Sequence, residues 1–256
     1  MEKGLLVKCL GRIVTVDVDR PLGTCHPKYP DMVYPVNYGY IRGVLGGDGE
    51  AQDCYILGVD HPVRQFTGRI VAVAHRKDDL EDKWVAAPKD MVVYQPEISR
   101  TLDFQEQWFD TEYFCLYEKV CGSVLYTTVQ GERKYLLVRN LSGHVGFPKG
   151  HMEGEESEGE TAHREILEET GLDIPVDLSF RESYRYLYDG YVQKDAVYFL
   201  NAFSMERIQP QEGEILRYWL VNCQQALELL NFPQDRAILQ KAESYLNQRE
   251  REKSLD

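Results

Sequence analysis

The chain has 256 residues, of which 43 % are hydrophobic, and it is therefore long enough to form two modest globular domains. Its formal net charge of −13 disfavours non-specific binding to nucleic acid, which requires a basic surface. Residues 1–111 carry 17 acids and 13 bases and residues 112–256 carry 25 and 16, so most of the negative charge lies in the second half.

The six cysteines show no C-x-x-C pairing, and several lie in apolar runs typical of strands. This pattern favours reduced, packed thiols and implies no zinc site. No stretch approaches the ~18 consecutive apolar residues of a membrane span, and the apolar run before Lys8 is too short for a signal peptide. We expect a cytoplasmic protein that does not enter the membrane.

The first half reads as a small, mostly β domain. Apolar and β-branched runs predict strands at 4–8, 11–18, 54–59 and 69–75, and one helix is predicted at about 97–109. The proline-rich segment from His26 to Pro35 lacks backbone donors, so no regular element is expected there. The aromatic segment 104–117 indicates a packed junction, and the boundary between domains 1–111 and 112–256 is placed near 111.

Two acidic segments lie inside this half. One is Asp48-Gly49-Glu50 followed by Asp53, and the other is the run from Asp78 to Lys83. Asp-Gly pairs are typical of turns and an acidic run is typical of a solvated loop, but carboxylates are also the ligands of hard cations. The residues alone leave both interpretations open.

The order of the segments VYPVNYGYI, DGEAQD and HRKDDLEDKWVAAP resembles that of family I inorganic pyrophosphatases over about residues 4–90. The resemblance implies a small pyrophosphatase-like β-barrel. It also implies substrate contacts from Tyr38 and Lys83. The metal ligands that it implies are Asp48, Asp53, Asp78 and Asp82, with Glu81 as the alternative to Asp82.

This first half departs from the family pattern at charged positions. Glu50-Ala51-Gln52 replaces an acidic segment, the K-x-E strand is present only as Thr15-Val16-Asp17, and a phosphate-binding arginine is replaced near His26 or Lys28. Phosphoryl transfer depends on fixed cations, so weak or absent pyrophosphatase activity is expected. An alternative is a non-catalytic module that binds pyrophosphate or nucleotide.

The second half alternates strands with helices. Strands are predicted at 121–126, 135–139, 179–187, 196–203 and 214–221, and helices at 223–230 and 234–248. Between them lies an acidic helix whose ends are readable in the sequence. Ser157 and Glu160 form a capping-box pattern at its start, and Gly171 supplies a left-handed residue at its end.

Three glutamates of this helix, Glu165, Glu168 and Glu169, stand at i, i+3 and i+4 and therefore share one face. Like charges at this spacing destabilise a helix by a few tenths of a kcal/mol per pair, on the order of measured pair energies. A solvated acidic face and a site for a hard divalent cation are both consistent with this spacing.

The full pattern runs from Gly150 through Glu156 to Arg164 and the closing Gly171-Leu172, and it resembles the Nudix box of nucleoside-diphosphate-linked hydrolases. The resemblance implies an α/β/α sandwich and hydrolysis that depends on Mg²⁺, with Mn²⁺ as a substitute. It implies a general base among the glutamates and an orienting role for Arg164, with metal ligands at Gly150, Glu156, Glu165, Glu168 and Glu169.

The segments HVGFPKGHMEGE, YRYLYDGYVQKDAVYFL and ALELLNFPQDRAILQKAESYL are similar to those of the diadenosine tetraphosphate hydrolase branch. This similarity implies substrate contacts from Lys149, His151, Tyr186, Lys194 and Tyr198. A lone histidine is more often structural, and tyrosines in strands are usually core. The branch's acidic position before Trp219 is met by Glu212 or Glu214 only with a shift of one residue.

The resemblance thus implies a hydrolase that cleaves phosphoric anhydrides in dinucleoside polyphosphates, with a small-molecule nucleotide as its partner. The alternative is a nucleoside triphosphate pyrophosphohydrolase, whose released pyrophosphate the first half would cleave or sense. Diadenosine tetraphosphate cleaved to ATP and AMP releases no pyrophosphate, so the products distinguish the two activities.

Overall fold

The structure is a computed structural model, and it describes residues 7–204, 208–210 and 213–253. The chain divides into two compact units. The first contains the chain up to Glu118 together with Leu187–Lys194, and the second contains Lys119–Tyr186 and the chain from Asp195. The predicted boundary near 111 falls at the first residue of a strand, Thr111–Cys115, that belongs to the first unit.

The first unit is built on a closed β-barrel. After a 3-10 helix at Val7–Cys9, its regular elements are β1 Ile13–Arg20, β2 Asn37–Leu45, β3 Ala51–Ile56, β4 Gln65–Arg76, β5 Lys83–Ala87, α1 Gln95–Glu106 and β6 Thr111–Cys115. The strands pair in the order β1-β2-β3-β5-β4, and β1 pairs with β4 to close the barrel. β6 adds to β4 outside this circuit. The predicted small β domain is confirmed as a barrel.

Three local predictions for this unit were wrong or incomplete. The strand predicted at 4–8 is a 3-10 helix where the chain is described, and residues 4–6 lie outside the described part. The strands β2 and β5 were missed because prolines, glycines and an acidic run mask their pattern.

A Cβ at Gly39 of β2 would come within 2.0 Å of the Asp17 carbonyl oxygen, so only glycine lets β1 and β2 approach this closely.

The second unit is built around one sheet, and helices pack against the sheet. Its elements are β7 Tyr117–Val129, β8 Glu132–Asn140, β9 Val145–Gly146, β10 Lys149–His151, α2 Glu158–Thr170, β11 Glu182–Tyr188, β12 Val192–Ala202, β13 Ile215–Val221, α3 Cys223–Leu229 and α4 Pro233–Lys253. The strand order is β11-β12-β7-β8-β13, with β10 paired to β7 and β9 to β8. The first two residues of β7, Tyr117 and Glu118, belong to the first unit.

Alternating residues of the sheet bury two different faces. On one face Leu125 and Leu136 pack with Ile166 of α2. On the other face Leu137 belongs to the cluster that contains Leu239 of α4. The sheet is therefore covered by helices on both sides, as the predicted α/β/α sandwich requires.

Within residues 7–204, 208–210 and 213–253, no helix combines the length and the apolar character that crossing a bilayer requires.

Candidate active site

The helix α2 begins and ends where the sequence predicts. The Ser157 hydroxyl accepts a hydrogen bond from the Glu160 backbone N–H, and the Glu160 carboxylate accepts one from the Ser157 N–H. Gly171 closes the helix in the left-handed conformation, with φ of 74°. The capping box and the glycine stop are confirmed, and they fix which glutamates share a face.

The short strand β10 brings Gly150 against this helix. A Cβ at position 150 would lie 2.1 Å from the Oε1 atom of Glu165 and 2.4 Å from Oε2, so the carboxylate occupies the space that any other side chain would fill. Glycine is therefore required at position 150, because it lets a carboxylate of α2 rest on the backbone of β10.

Arg164 connects most of the acidic positions of the motif. Its Nε donates to Glu156 Oε1 at 2.7 Å, and its Nη1 lies 2.5 Å from Glu165 Oε1 and 3.0 Å from Glu168 Oε2. Its Nη2 donates to the His151 carbonyl oxygen at 2.8 Å. One guanidinium therefore contacts three glutamates and the His151 carbonyl at the end of β10, and the orienting role of Arg164 stays a prediction.

Glu156 is the most strongly stabilised anion in this cluster. Its carboxylate also accepts hydrogen bonds from the Thr161 hydroxyl at 2.9 Å and from the Glu153 backbone N–H at 3.1 Å. Its hydrogen bonds with Arg164 are the main reason that its pKa falls to about 2. Its predicted role as a metal ligand stays a prediction, since in this arrangement it faces Arg164.

Two other glutamates are poorly stabilised as anions. Burial raises the pKa of Glu165. Burial, followed by the negative charge of Glu165, raises the pKa of Glu169 to about 8, while the charge of Lys149 opposes this shift. The Lys149 backbone N–H donates to Glu169 Oε2 at 3.2 Å. A cation placed here would relieve this electrostatic cost.

The glutamates of α2 fit a hard divalent cation in their chemistry. In the described part of the chain, no three His, Cys, Asp or Glu side chains already form a metal-ready cluster, and three of the glutamates turn toward Arg164. Carboxylate oxygens are nevertheless the ligands that Mg²⁺ prefers, and three carboxylates share a single guanidinium. The Glu165 carboxylate lies against Gly150, and the pKa of Glu169 is raised. A positive charge bound here would stabilise both carboxylates as anions.

The predicted substrate-binding residues are in different environments. Lys149 and His151 lie in β10 beside α2. Tyr198 is fully buried, and its hydroxyl donates to Asp235 at 3.1 Å, as expected for a core tyrosine. Tyr186 packs against the same core cluster as Tyr198.

Lys194 is grouped with the first unit, and not with the unit that contains α2. Its Nζ lies 2.7 Å from Glu118 Oε2 and 4.2 Å from the centre of the Tyr188 ring. The substrate roles of Lys194 and of the residues above stay predictions.

Two acidic residues were not assigned a role from the sequence. The negative charge of Glu214 contributes to the raised pKa of both Glu165 and Glu169, so its carboxylate acts on the same cluster. Its offset by one residue from the family position was the available signal, and Glu212, the other candidate, lies outside the described residues. Asp235 is buried and accepts a hydrogen bond from the Tyr184 hydroxyl at 2.7 Å, which no sequence pattern indicated.

Part of the acidic site that the sequence predicts in the first half of the chain is brought together in the first unit. The Asp53 carboxylate accepts hydrogen bonds from the Tyr38 hydroxyl and from Lys83 Nζ, the latter at 2.6 Å. Lys83 also forms an ion pair with Glu81. These residues line one cavity, and Lys83 is neutralised within it by two carboxylates.

The other predicted aspartates of the first unit have partners that do not line this cavity. Asp48 accepts a hydrogen bond from the Glu50 N–H at 2.9 Å, and Asp78 accepts one from the Asp110 N–H at 3.0 Å. Asp82 lies 2.6 Å from Nδ1 of His75. None of these three aspartates is among the described residues that line the cavity. Their metal-binding roles stay predictions.

Comparison with known proteins agrees with the geometry of the second unit. Residues 122–242 match the family model of the NUDIX domain. Among solved structures, an Ap4A hydrolase binary complex from C. elegans is 23 % identical with a TM-score of 0.48, and it covers 51 % of this chain and 98 % of its own. A NUDIX domain from Shewanella oneidensis in complex with ADP ribose is 18 % identical with a TM-score of 0.46, covering 52 % and 90 %.

A third structure, the E. coli dihydroneopterin triphosphate pyrophosphohydrolase, is 17 % identical with a TM-score of 0.42, and it covers 49 % of this chain and 95 % of its own. The family match spans the sheet, the glycine of β10 and all of α2. Residues 122–242 of this chain form a Nudix domain.

Proposed function

We propose that the Nudix domain is a Mg²⁺-dependent hydrolase of phosphoric anhydride bonds in dinucleoside polyphosphates. The observation that carries the proposal is the carboxylate of Glu165 resting on Gly150 beside Glu169, whose pKa is raised to about 8. Buried carboxylates that repel each other destabilise the folded state, and the same carboxylates are suitable ligands for a hard divalent cation.

Glu165, Glu168 and Glu169 would hold the cation, with the backbone of Gly150 beside them. When bound, Mg²⁺ supplies positive charge that offsets the negative charge on the phosphate oxygens. Mn²⁺ prefers the same oxygen ligands and is expected to substitute. Arg164 keeps three carboxylates in place through the four contacts described above.

The reaction itself is a displacement at phosphorus. The oxygen of a water molecule forms a bond to phosphorus, the bridging P–O bond breaks, and the departing phosphate leaves as an anion. The proton of the water passes to one of the glutamates of α2 acting as general base. No covalent phospho-enzyme is expected, since the site offers acids rather than an activated nucleophile.

The choice of dinucleoside polyphosphates over nucleoside triphosphates rests on the segments around β10 and β12. Their similarity to the diadenosine tetraphosphate hydrolase branch supports a substrate that yields ATP and AMP. A nucleoside triphosphate pyrophosphohydrolase is the second candidate, since an adjacent pyrophosphatase-like barrel would suit an enzyme that releases pyrophosphate.

One product analysis tests both candidates. The full-length protein with Mg²⁺ is given diadenosine tetraphosphate, nucleoside triphosphates and pyrophosphate in turn, in ¹⁸O-water, and the products are followed by ³¹P NMR. We expect ATP and AMP from diadenosine tetraphosphate, with the label in a nucleotide product. Preferential release of pyrophosphate from a nucleoside triphosphate would favour the second candidate, and a phosphorylated side chain would contradict direct attack by water.

A further inference from the structure

The first unit contains a cavity of about 1400 Å³. Small-molecule sites are typically about 300–1,000 Å³, so this cavity is larger than an ion as small as pyrophosphate needs. We propose that the cavity binds a nucleoside monophosphate, with the phosphate at Lys28 and the base against the aromatic side chains around it. This proposal does not rest on the function of the Nudix domain.

The charges inside the cavity disfavour a highly charged anion. Its lining contains four cations and four anions, which are Arg20, Lys28, Arg76 and Lys83 against Asp19, Asp31, Asp53 and Glu81. These charges sum to zero. Pyrophosphate carries up to four negative charges, so it would gain little net attraction in such an environment.

The buried cations are already occupied by carboxylates. Arg76 forms two hydrogen bonds with Glu106, at 2.7 and 3.0 Å, and a third with Asp79 at 3.3 Å. Lys83 is held between Asp53 and Glu81. A ligand anion would have to displace these partners, and breaking a buried ion pair is costly.

The rim of the cavity differs from its interior. Lys28 is exposed, and its ammonium forms no ion pair with any residue that the structure describes. Among the residues that the structure describes, Arg20 forms an ion pair with its neighbour Asp19, at 2.7 Å. The positive charges of both cations, after desolvation, lower the pKa of His26. The ammonium of Lys28 is therefore the cation of the rim that suits one small anionic group such as a phosphate monoester.

Aromatic side chains begin at the same rim and continue inward. The backbone N–H of Lys28 donates to His26 Nδ1 at 3.1 Å. The His26 ring lies 5.0 Å from Tyr29 and 6.2 Å from Tyr34, and Tyr34 lies 5.5 Å from Tyr38, all measured between ring centres. The phosphate position is thus next to a row of rings.

Two rings that line the cavity are unusually exposed. Tyr29 is 61 % exposed and Trp108 is 70 % exposed. Exposed aromatic side chains that line one cavity indicate a ligand with an apolar planar part. Stacking of a nucleic acid base on an aromatic side chain contributes about 1–3 kcal/mol and tolerates any base. A phosphate ester that carries a base matches both the lysine at the rim of the cavity and the aromatic side chains that line it.

The proposal is tested with the full-length protein in EDTA, with AMP as the probe and tryptophan fluorescence as the readout. Trp108 lines the cavity, whereas Trp84 and Trp219 do not. We expect a saturable change in emission that disappears in Trp108→Phe. Adenosine, ribose 5-phosphate and pyrophosphate should each bind at least about tenfold more weakly, because each lacks the base or the matching phosphate.

The matched pair of variants is Lys28→Gln and Lys89→Gln, since both lysines are exposed and only Lys28 lines the cavity. Loss of the charged contact should raise the dissociation constant for AMP about tenfold in Lys28→Gln and leave it unchanged in Lys89→Gln. AMP bound only to the Nudix domain would give equal affinities in the two variants and would overturn the proposal. Pyrophosphate binding more tightly than AMP, or no saturable change in emission, would overturn it as well.

Discussion

The acidic cluster of the Nudix domain and that of the barrel use similar residues with opposite results. On α2 the glutamates come from one helix, and burial, followed by the negative charge of Glu165, raises the pKa of Glu169 to about 8. In the barrel Asp53, Glu81 and Lys83 lie on or next to different strands, and Lys83 forms ion pairs with both carboxylates. Excess negative charge in the first cluster calls for a cation, whereas in the second Lys83 already supplies one positive charge to the two carboxylates.

This difference indicates that an acidic cluster is a cation site only when its charge is left uncompensated. Burial acts to raise the pKa of Asp53, but the charge and hydrogen bonds of Lys83 lower it below its ordinary value. We therefore expect the two clusters to differ in catalysis as they differ in electrostatics.

The largest effect is expected for Glu168→Gln and Glu169→Gln in the Nudix domain. Each removes a charge from the proposed cation site, so kcat for polyphosphate cleavage should fall by about a hundredfold or more. The fold should persist, because like charges on the helix are removed. Rates are measured at saturating Mg²⁺, and folding is followed by circular dichroism. Glu228→Gln, an exposed change on α3, is the control, and an unchanged rate in the α2 variants would contradict the assignment.

The barrel should hydrolyse pyrophosphate weakly or not at all. Lys83 is neutralised by Asp53 and Glu81, and each missing cationic donor costs ~3 kcal/mol, or roughly a hundredfold in rate. Phosphate release from pyrophosphate by the full-length protein, with Mg²⁺ or Mn²⁺, should therefore be at least about a hundredfold slower than polyphosphate cleavage. Rapid turnover that Asp53→Asn abolishes would show that the barrel is an active pyrophosphatase. Polyphosphate cleavage should be unchanged in that variant.

A smaller loss is expected for Gly150→Ala. The added Cβ would lie 2.1 Å from Glu165 Oε1 and would push the carboxylate off the backbone of β10. We expect activity to fall about tenfold or more, since a misplaced catalytic group can cost a hundredfold. The control is Gly159→Ala in α2, where the added Cβ would meet the Leu178 side chain, at 3.1 Å. Equal activities in the two variants would contradict a specific role for Gly150.

The smallest effect concerns stability without metal. The pKa of Glu169 rises from 4.5 when unfolded to about 8 when folded, so the folded state binds more protons between these values. In EDTA the stability should therefore fall as pH rises from about 5 to 8, by roughly a few degrees in Tm. Glu169→Gln should flatten this dependence, and added Mg²⁺ should raise Tm most at high pH. A wild-type Tm in EDTA that rises over this range would contradict the electrostatic account.

The Nudix helix could be predicted from sequence because its determinants are local. Ser157, Glu160 and Gly171 lie within or next to the helix they delimit, and the spacing of the glutamates fixes their face. The pairing of Glu156 with Arg164 spans eight residues and a turn, so spacing alone could not show it. The burial that raises the pKa of Glu169 depends on β10 and on tertiary packing.

The barrel site could be predicted only in part because its contacts are distant in sequence. Asp53 and Lys83 are separated by 30 residues, and their pairing depends on the barrel. Asp48 and Asp78, which match the family pattern, were expected at the same site, but the Asp48 carboxylate accepts a hydrogen bond from Glu50 in a turn and the Asp78 carboxylate accepts one from Asp110. A pattern identifies residue types, whereas strand register decides which of them meet.

Closure of the barrel also bears on how this unit reaches its native state. β1 pairs with β4, so Ile13 lies opposite Arg69 and the intervening chain must be organised before the circuit is complete. Non-local pairing of this kind gives a high contact order, and such topologies fold in milliseconds to seconds rather than microseconds. The strands of the barrel would spend that time with unpaired edges, so newly made chains are most exposed to aggregation before β1 finds β4.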